Sequence, residues 1–168
     1  MSIISIEEAK TLGRPIGKVS DAKIECYISE VEQTIIKPAI GDDLFLQVKA
    51  DDGELSDDLR TLLSGGVYTI KDQRRCFVGL KVAMAYFVCA QNVISGDVES
   101  TRYGMVVKQG EYSNHITQSE RSDLYNSIFA TANAYLRECV AFLQAKGLLQ
   151  GHQGSSSFGG SCIIRKID

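Results

Sequence analysis

Ile70-Lys71-Asp72-Gln73-Arg74-Arg75-Cys76-Phe77-Val78-Gly79-Leu80-Lys81-Val82-Ala83-Met84-Ala85-Tyr86-Phe87-Val88-Cys89-Ala90-Gln91-Asn92-Val93-Ile94 is the most apolar long stretch of the chain, and its reading decides the rest. Phe77, Leu80, Met84 and Phe87 recur at spacings of three and four, and Val78, Val82, Ala85, Tyr86, Cys89 and Val93 form a second stripe. That period marks a helix. A helix apolar nearly all round belongs at the centre of a domain. The expectation is one core helix from about Ile70 to Ile94, stopped by Ser95-Gly96. Lys71, Arg74 and Arg75 then sit together at its start, as a solvated face or an intersubunit contact rather than a nucleic-acid site.

On the N-terminal side, Ser5-Ile6-Glu7-Glu8 has the form of a capping box, so a short helix should follow and stop near Gly13. Ile24, Tyr27, Ile28, Val31 and Ile35 give one apolar face to a helix starting at Ser20 or Asp21. Pro38 disfavours helical geometry at Lys37, which predicts an end near Ile36. Two short helices are expected next, one through Leu44, Phe45 and Val48, the other capped by Ser56 over Leu59, Leu62 and Leu63 and closed by Gly65-Gly66.

On the C-terminal side, residues 97–116 break the helical pattern. Tyr103–Lys108 reads as a strand, with Gln109-Gly110 as a turn and Glu111-Tyr112-Ser113 as its return. Thr117-Gln118-Ser119-Glu120 is a second capping box. It opens a helix of about 30 residues, about 44 Å long, ending at Lys146-Gly147. The predicted fold is mainly α: a helical bundle with two long helices, a short β-hairpin insertion and an extended C-terminal tail. Residues 1–150 form the helical domain, with its β-insertion at about 97–116. Residues 151–168 form a Gly/Ser-rich arm ending in a short β-prone segment.

Composition bounds the function. The chain has 168 residues, 44% hydrophobic and 23% charged, as an ordinary globular domain has. No run is long and apolar enough for a membrane helix. The N-terminus lacks the features of a secretory signal, so synthesis and first folding are expected in the cytoplasm. A net charge of −3 argues against a protein that grips nucleic acid.

Chemistry finds little purchase. The five cysteines, Cys26, Cys76, Cys89, Cys139 and Cys162, include no C-x-x-C pair and read as reduced; four of them lie among apolar neighbours in predicted helices. Only His115 and His152 could serve as imidazole bases, and neither belongs to a nucleophile signature. Asp42-Asp43, Asp51-Asp52 and Asp57-Asp58 lie at turns or helix starts, where capping explains them. No catalytic residue, cofactor or metal site is expected.

Three features instead call for a partner. They are the long last helix, the strand edge at Gly104–Val107, and a linker that ends in Cys162-Ile163-Ile164. Exposed strand edges attract other strands, and extended segments add to sheet edges.

The order of these segments resembles a known family. A helix like Ile24–Ile36 runs into Lys37-Pro38-Ala39-Ile40-Gly41-Asp42. A turn follows near Leu63-Ser64-Gly65-Gly66, then an apolar helix with Gly79-Leu80-Lys81-Val82-Ala83-Met84-Ala85-Tyr86-Phe87. A loop with Ser100-Thr101-Arg102-Tyr103-Gly104-Met105-Val106 precedes a long helix carrying Ala134-Tyr135-Leu136. Over roughly residues 20–146 this looks like the small head–tail connector, or head-completion, proteins of tailed phages, particularly those of the Bacteroides group.

The resemblance implies a structural virion protein, not an enzyme. It would be assembled in the host cytoplasm into a homo-oligomeric ring, often twelve-fold, at the virion neck. Its partners would be the portal protein and a downstream neck or tail protein, with DNA passing through unread and no membrane involved. It also implies that the 97–116 loop contacts neighbours, which makes Arg102, Tyr103, Met105, Val107 and Lys108 interface candidates. Cys162, Ile163, Ile164 and Ile167 join them from the tail on its β-prone character. The alternatives are another neck or tail-completion protein, or a small helical enzyme or ligand-binding domain.

Overall fold

A computed structural model describes residues 2–16, 19–50, 55–95, 98–101, 104–107 and 117–149. The fold is mainly helical, with small antiparallel β elements. In chain order the elements are α1 (Ile6–Leu12), α2 (Asp21–Val31), a π-helical segment (Glu32–Ile36), α3 (Lys37–Ile40), α4 (Asp42–Val48), α5 (Asp57–Ser64), β1 (Gly66–Ile70), β2 (Gln73–Phe77), α6 (Leu80–Ser95), β3 (Val98–Thr101), β4 (Gly104–Val107) and α7 (Gln118–Ala145).

The helix starts follow their caps. Ser5 and Glu8 close a reciprocal capping box at α1, and Thr117 and Glu120 close another at α7. At α5 the Ser56 hydroxyl accepts from the Leu59 N–H.

Helix α6 is the central element, packed against α1, α2, α5 and α7. Leu80, Ala83, Met84, Ala85, Phe87, Val88, Cys89 and Ala90 are all buried on it. Along α7 the buried residues are Ile128, Ala132, Leu136, Cys139, Phe142 and Leu143, a single stripe at helical spacing. Phe129 meets Phe87, and Tyr135 meets Tyr86, ring edge to ring face. The 28 residues of α7 span about 42 Å. From Ile128 onward that face is covered within the chain, by α6 along the middle and by β1–β2 near the C-terminal end, whereas Leu124 in the first part of the helix is exposed.

Burial raises the Cys139 thiol to about 12, and it raises the Cys89 thiol as well. Both behave as small hydrophobes. Cys26 and Cys76 depart from the expectation, being exposed.

The expected helix end near Ile36 is not observed. The chain stays helical through Pro38 to Ile40. Pro38 lies in the first turn of α3, where its missing N–H removes no necessary bond. The π-helical turn before it inserts one residue into the helical register. That insertion rotates the buried face, so Ile36 is fully buried in place of Ile35, and Glu32 is drawn inside at 2% exposure. Its carboxylate is satisfied there. Oε1 accepts the Ile3 N–H at 2.6 Å, and Oε2 accepts from Lys49 Nζ at 2.7 Å.

The larger correction concerns Ile70–Ile94. Its first ten residues are not helical: β1 and β2 form an antiparallel hairpin, and α6 starts only at Leu80. The reason lies in two glycines. Gly65 and Gly79 have φ of +82° and +93°, which L side chains rarely adopt. A Cβ on Gly79 would overlap the Gly65 nitrogen, and one on Gly65 would lie 2.5 Å from the Val78 carbonyl carbon. The two backbones pinch together at the hairpin base, and α6 cannot extend backward through Gly79.

The second hairpin adds a strand to the other reading. The expected strand at Gly104–Val107 is present, and a strand before it in the chain pairs with it. Thr101 pairs with Gly104, Ser100 with Met105, Glu99 with Val106 and Val98 with Val107. The expected return strand at Glu111-Tyr112-Ser113 lies outside the described residues, as does the arm 151–168.

Candidate interaction surface

Hairpin β1–β2 follows from local chemistry. Val67-Tyr68-Thr69-Ile70 is a β-branched and aromatic run. Lys71 and Asp72, with φ of 45° and 62°, make the two-residue turn, and Ile70 pairs with Gln73 across it. Positive φ at both central positions is the geometry that matches strand twist. It is ordinarily supplied by Asn-Gly, so Lys71-Asp72 holds it at some cost.

One face of the hairpin is anchored. Tyr68 and Phe77 are buried and share that face, because Tyr68 pairs with Arg75, two residues before Phe77. The Phe77 ring stacks on Phe142 of α7 at 4.8 Å, and Tyr68 meets both rings edge-on at 5.7 and 5.3 Å. Lys146 lies over Phe142 and pairs with Asp58 at 2.6 Å, tying α7 to α5 beside this cluster.

The opposite face is open. Val67, Thr69, Arg74 and Cys76 alternate onto it, and all four are exposed. Lys71, Gln73 and Arg75 are exposed too. Among the described residues, Lys71, Arg74 and Arg75 have no ion-pair partner. With Asp72 as the one acid at the tip, the hairpin presents a cationic end on an acidic protein.

Sequence reasoning grouped these three cations as a solvated face or an intersubunit contact but placed them on a helix, so the hairpin face that carries Val67, Thr69 and Arg74 went unread. The available signals were the β-branched run after Gly65-Gly66 and the isolated Gly79, which a continuous helix tolerates poorly.

Of the expected interface residues, Met105 and Val107 lie in β4, opposite Ser100 and Val98. Arg102, Tyr103, Lys108, Cys162, Ile163, Ile164 and Ile167 lie outside the described residues. So do His115 and His152. Hairpin β3–β4 makes no more than marginal contact with any other described element.

An open groove of about 430 Å³ lies among α1, α5 and α6, with Glu8, Leu12, Leu55, Arg60, Leu63 and Lys81 on its walls. Its acid is committed to structure. Glu8 Oε2 accepts the Ser5 N–H, and Oε1 accepts from Lys81 Nζ at 2.6 Å. Partial burial works against the Glu8 charge, but the Lys81 and Ser5 hydrogen bonds outweigh it and hold the carboxyl below its usual range. Among the described residues no group of three His, Cys, Asp or Glu could hold a metal ion, and no helix is long and apolar enough to cross a membrane.

Residues 36–148, about two thirds of the chain, match the model of a family of unknown function, DUF6712. The chain belongs to the DUF6712 family. The matched segment starts at the end of the π-helical turn and takes in both hairpins, α6 and α7, whereas α1 and α2 precede it. The cationic hairpin is therefore part of the DUF6712 segment, while the Glu8 wall of the groove is not. No curated protein and no solved structure matches the chain.

Proposed function

We propose that this DUF6712 chain is a structural subunit of a tailed-phage virion, a head–tail connector that closes into a ring below the portal and extends the DNA channel toward the tail. One observation carries the reading. The helical body closes around its own core, yet it bears two antiparallel hairpins with no third strand among the described residues. Such edges are templates for another chain.

The chemistry of the body agrees. The acids held below their usual range or buried serve caps and ion pairs: Glu8 and Glu120 close capping boxes, and Glu32 binds Lys49 and the Ile3 N–H. The balance of charge suits a conduit, because many lysine–phosphate contacts would hold the DNA in place. In this reading the 97–116 loop, with Arg102, Tyr103, Met105, Val107 and Lys108, meets neighbouring subunits. Cys162, Ile163, Ile164 and Ile167 add a strand to an adjacent chain. The subunit then sits in the virion neck between the portal and a downstream neck or tail protein.

The test is co-expression with the portal protein encoded nearby, followed by pull-down and negative-stain imaging. A ring seated on the portal is expected. Deleting Cys162–Asp168 should weaken that assembly while helix content by circular dichroism stays unchanged. Binding to a tail component with none to the portal would move the chain to another neck or tail-completion position. A strict monomer, with or without the portal, would end the connector reading.

A further inference from the structure

The two most exposed large hydrophobic side chains among the described residues carry rims of opposite charge. Leu46 on α4 is 68% exposed, and Val67 on β1 is 57% exposed. On the outer face with Val67 lies Arg74 of β2, two residues from Cys76, the cross-strand partner of Val67, and Lys71 sits at the turn; neither cation has an ion-pair partner among the described residues. Leu46 shares the outer face of α4 with Asp42 and Asp43, one turn earlier, while Leu44, Phe45 and Val48 face inward. Asp43 forms no ion pair among the described residues, and Asp42 has only a long, exposed one to Lys37 at 3.5 Å.

We infer that the outer face of the β1–β2 hairpin of one copy docks on the outer face of α4 of a second copy. This contact rests on the reading that the chain self-assembles, and it names the surfaces that do so. Each patch is an apolar anchor with a charged rim, the usual anatomy of a protein contact. The rims are of opposite sign, which steers encounter and fixes register. Because the two patches differ, the contact is head-to-tail, the kind that closes rings. A nucleic-acid backbone would satisfy the same cations, but it would leave Val67 and Leu46 uncovered and give Asp42 and Asp43 no role.

The full-length chain is compared by light scattering, alone and on the portal, as wild type, as Lys71→Glu/Arg74→Glu, as Asp42→Arg/Asp43→Arg, and with all four changes. All four residues are on the surface or nearly so, and circular dichroism checks that each variant folds. Each double variant should require roughly ten-fold or more protein to assemble, and the four-fold variant should regain most of the loss, as swapped charges do. Rings that form equally well in every variant would overturn this contact while leaving the connector reading intact. A wild type that is monomeric under both conditions would overturn both. A hairpin variant that loses retention of short duplex DNA in a gel shift, with its assembly unchanged, would reassign the cationic tip to nucleic acid and overturn the contact.

Discussion

The two hairpins of this chain have similar length and the same antiparallel pairing, yet they stand in different relations to the body. Hairpin β1–β2 is seated: Tyr68 and Phe77 are buried against Phe142, and the base is pinched between Gly65 and Gly79. Hairpin β3–β4 has no comparable seat among the described elements. An isolated two-stranded ribbon is marginal in water. The aromatic anchor, rather than the ladder of backbone bonds, thus sets how strongly a hairpin belongs to the domain. One hairpin is a rigid platform with one free face. The other makes no more than marginal contact with the described body.

The largest test of this difference removes the seat. Phe142 is 1% exposed and is shared by both aromatic residues of β1–β2. Phe142→Ala should cost about 3–5 kcal/mol, measured by urea unfolding. Hydrogen exchange should then rise across residues 66–77 more than in the N-terminal half of α7. Equal loss of protection along the whole chain would mean the hairpin is no separate platform.

A smaller effect of opposite sign is expected at the turn. Asp72 has φ of +62°, which glycine adopts without strain. Net of the greater flexibility of glycine in the unfolded state, Asp72→Gly should stabilise the chain by about 0.5–1 kcal/mol, read as a higher urea midpoint. The smallest effect should come from the unseated hairpin. Replacing residues 98–107 with a short Gly/Ser linker should shift the unfolding free energy by under about 1 kcal/mol, since the hairpin makes no more than marginal contact with the other described elements and an isolated ribbon adds little. Assembly on the portal should nevertheless fall. A large loss of stability there would show that β3–β4 is seated after all.

Much of the helical framework was legible beforehand, because its signals are local. Ser5–Glu8, Ser56 and Thr117–Glu120 announce helix starts in four residues or fewer, and the stripes on α6 and α7 repeat at helical spacing. The misreadings have a common origin. Phe77 completes a perfect-looking helical stripe with Leu80, Met84 and Phe87, yet it reaches the core from a strand. Burial alone does not record which secondary structure delivered the side chain. The candidate surface was legible as a cluster of cations but not in its shape, since Lys71, Arg74 and Arg75 make a cationic tip only once they lie on a hairpin.

By itself the sequence determined a mainly helical class, the capped starts of α1, α5 and α7, and the central place of the Leu80–Ile94 segment. Those properties depend on residues within a few turns of each other, where propensity, capping and periodicity act. Only the tertiary structure decided that Gly65 and Gly79 meet and divide a hairpin from the core helix. It alone decided that a π-helical turn carries the chain past Pro38 and buries Glu32 against Lys49, and that Phe142 holds β1–β2 in place. Each of these rests on a contact between residues distant in the chain, and such contacts leave no local period to read.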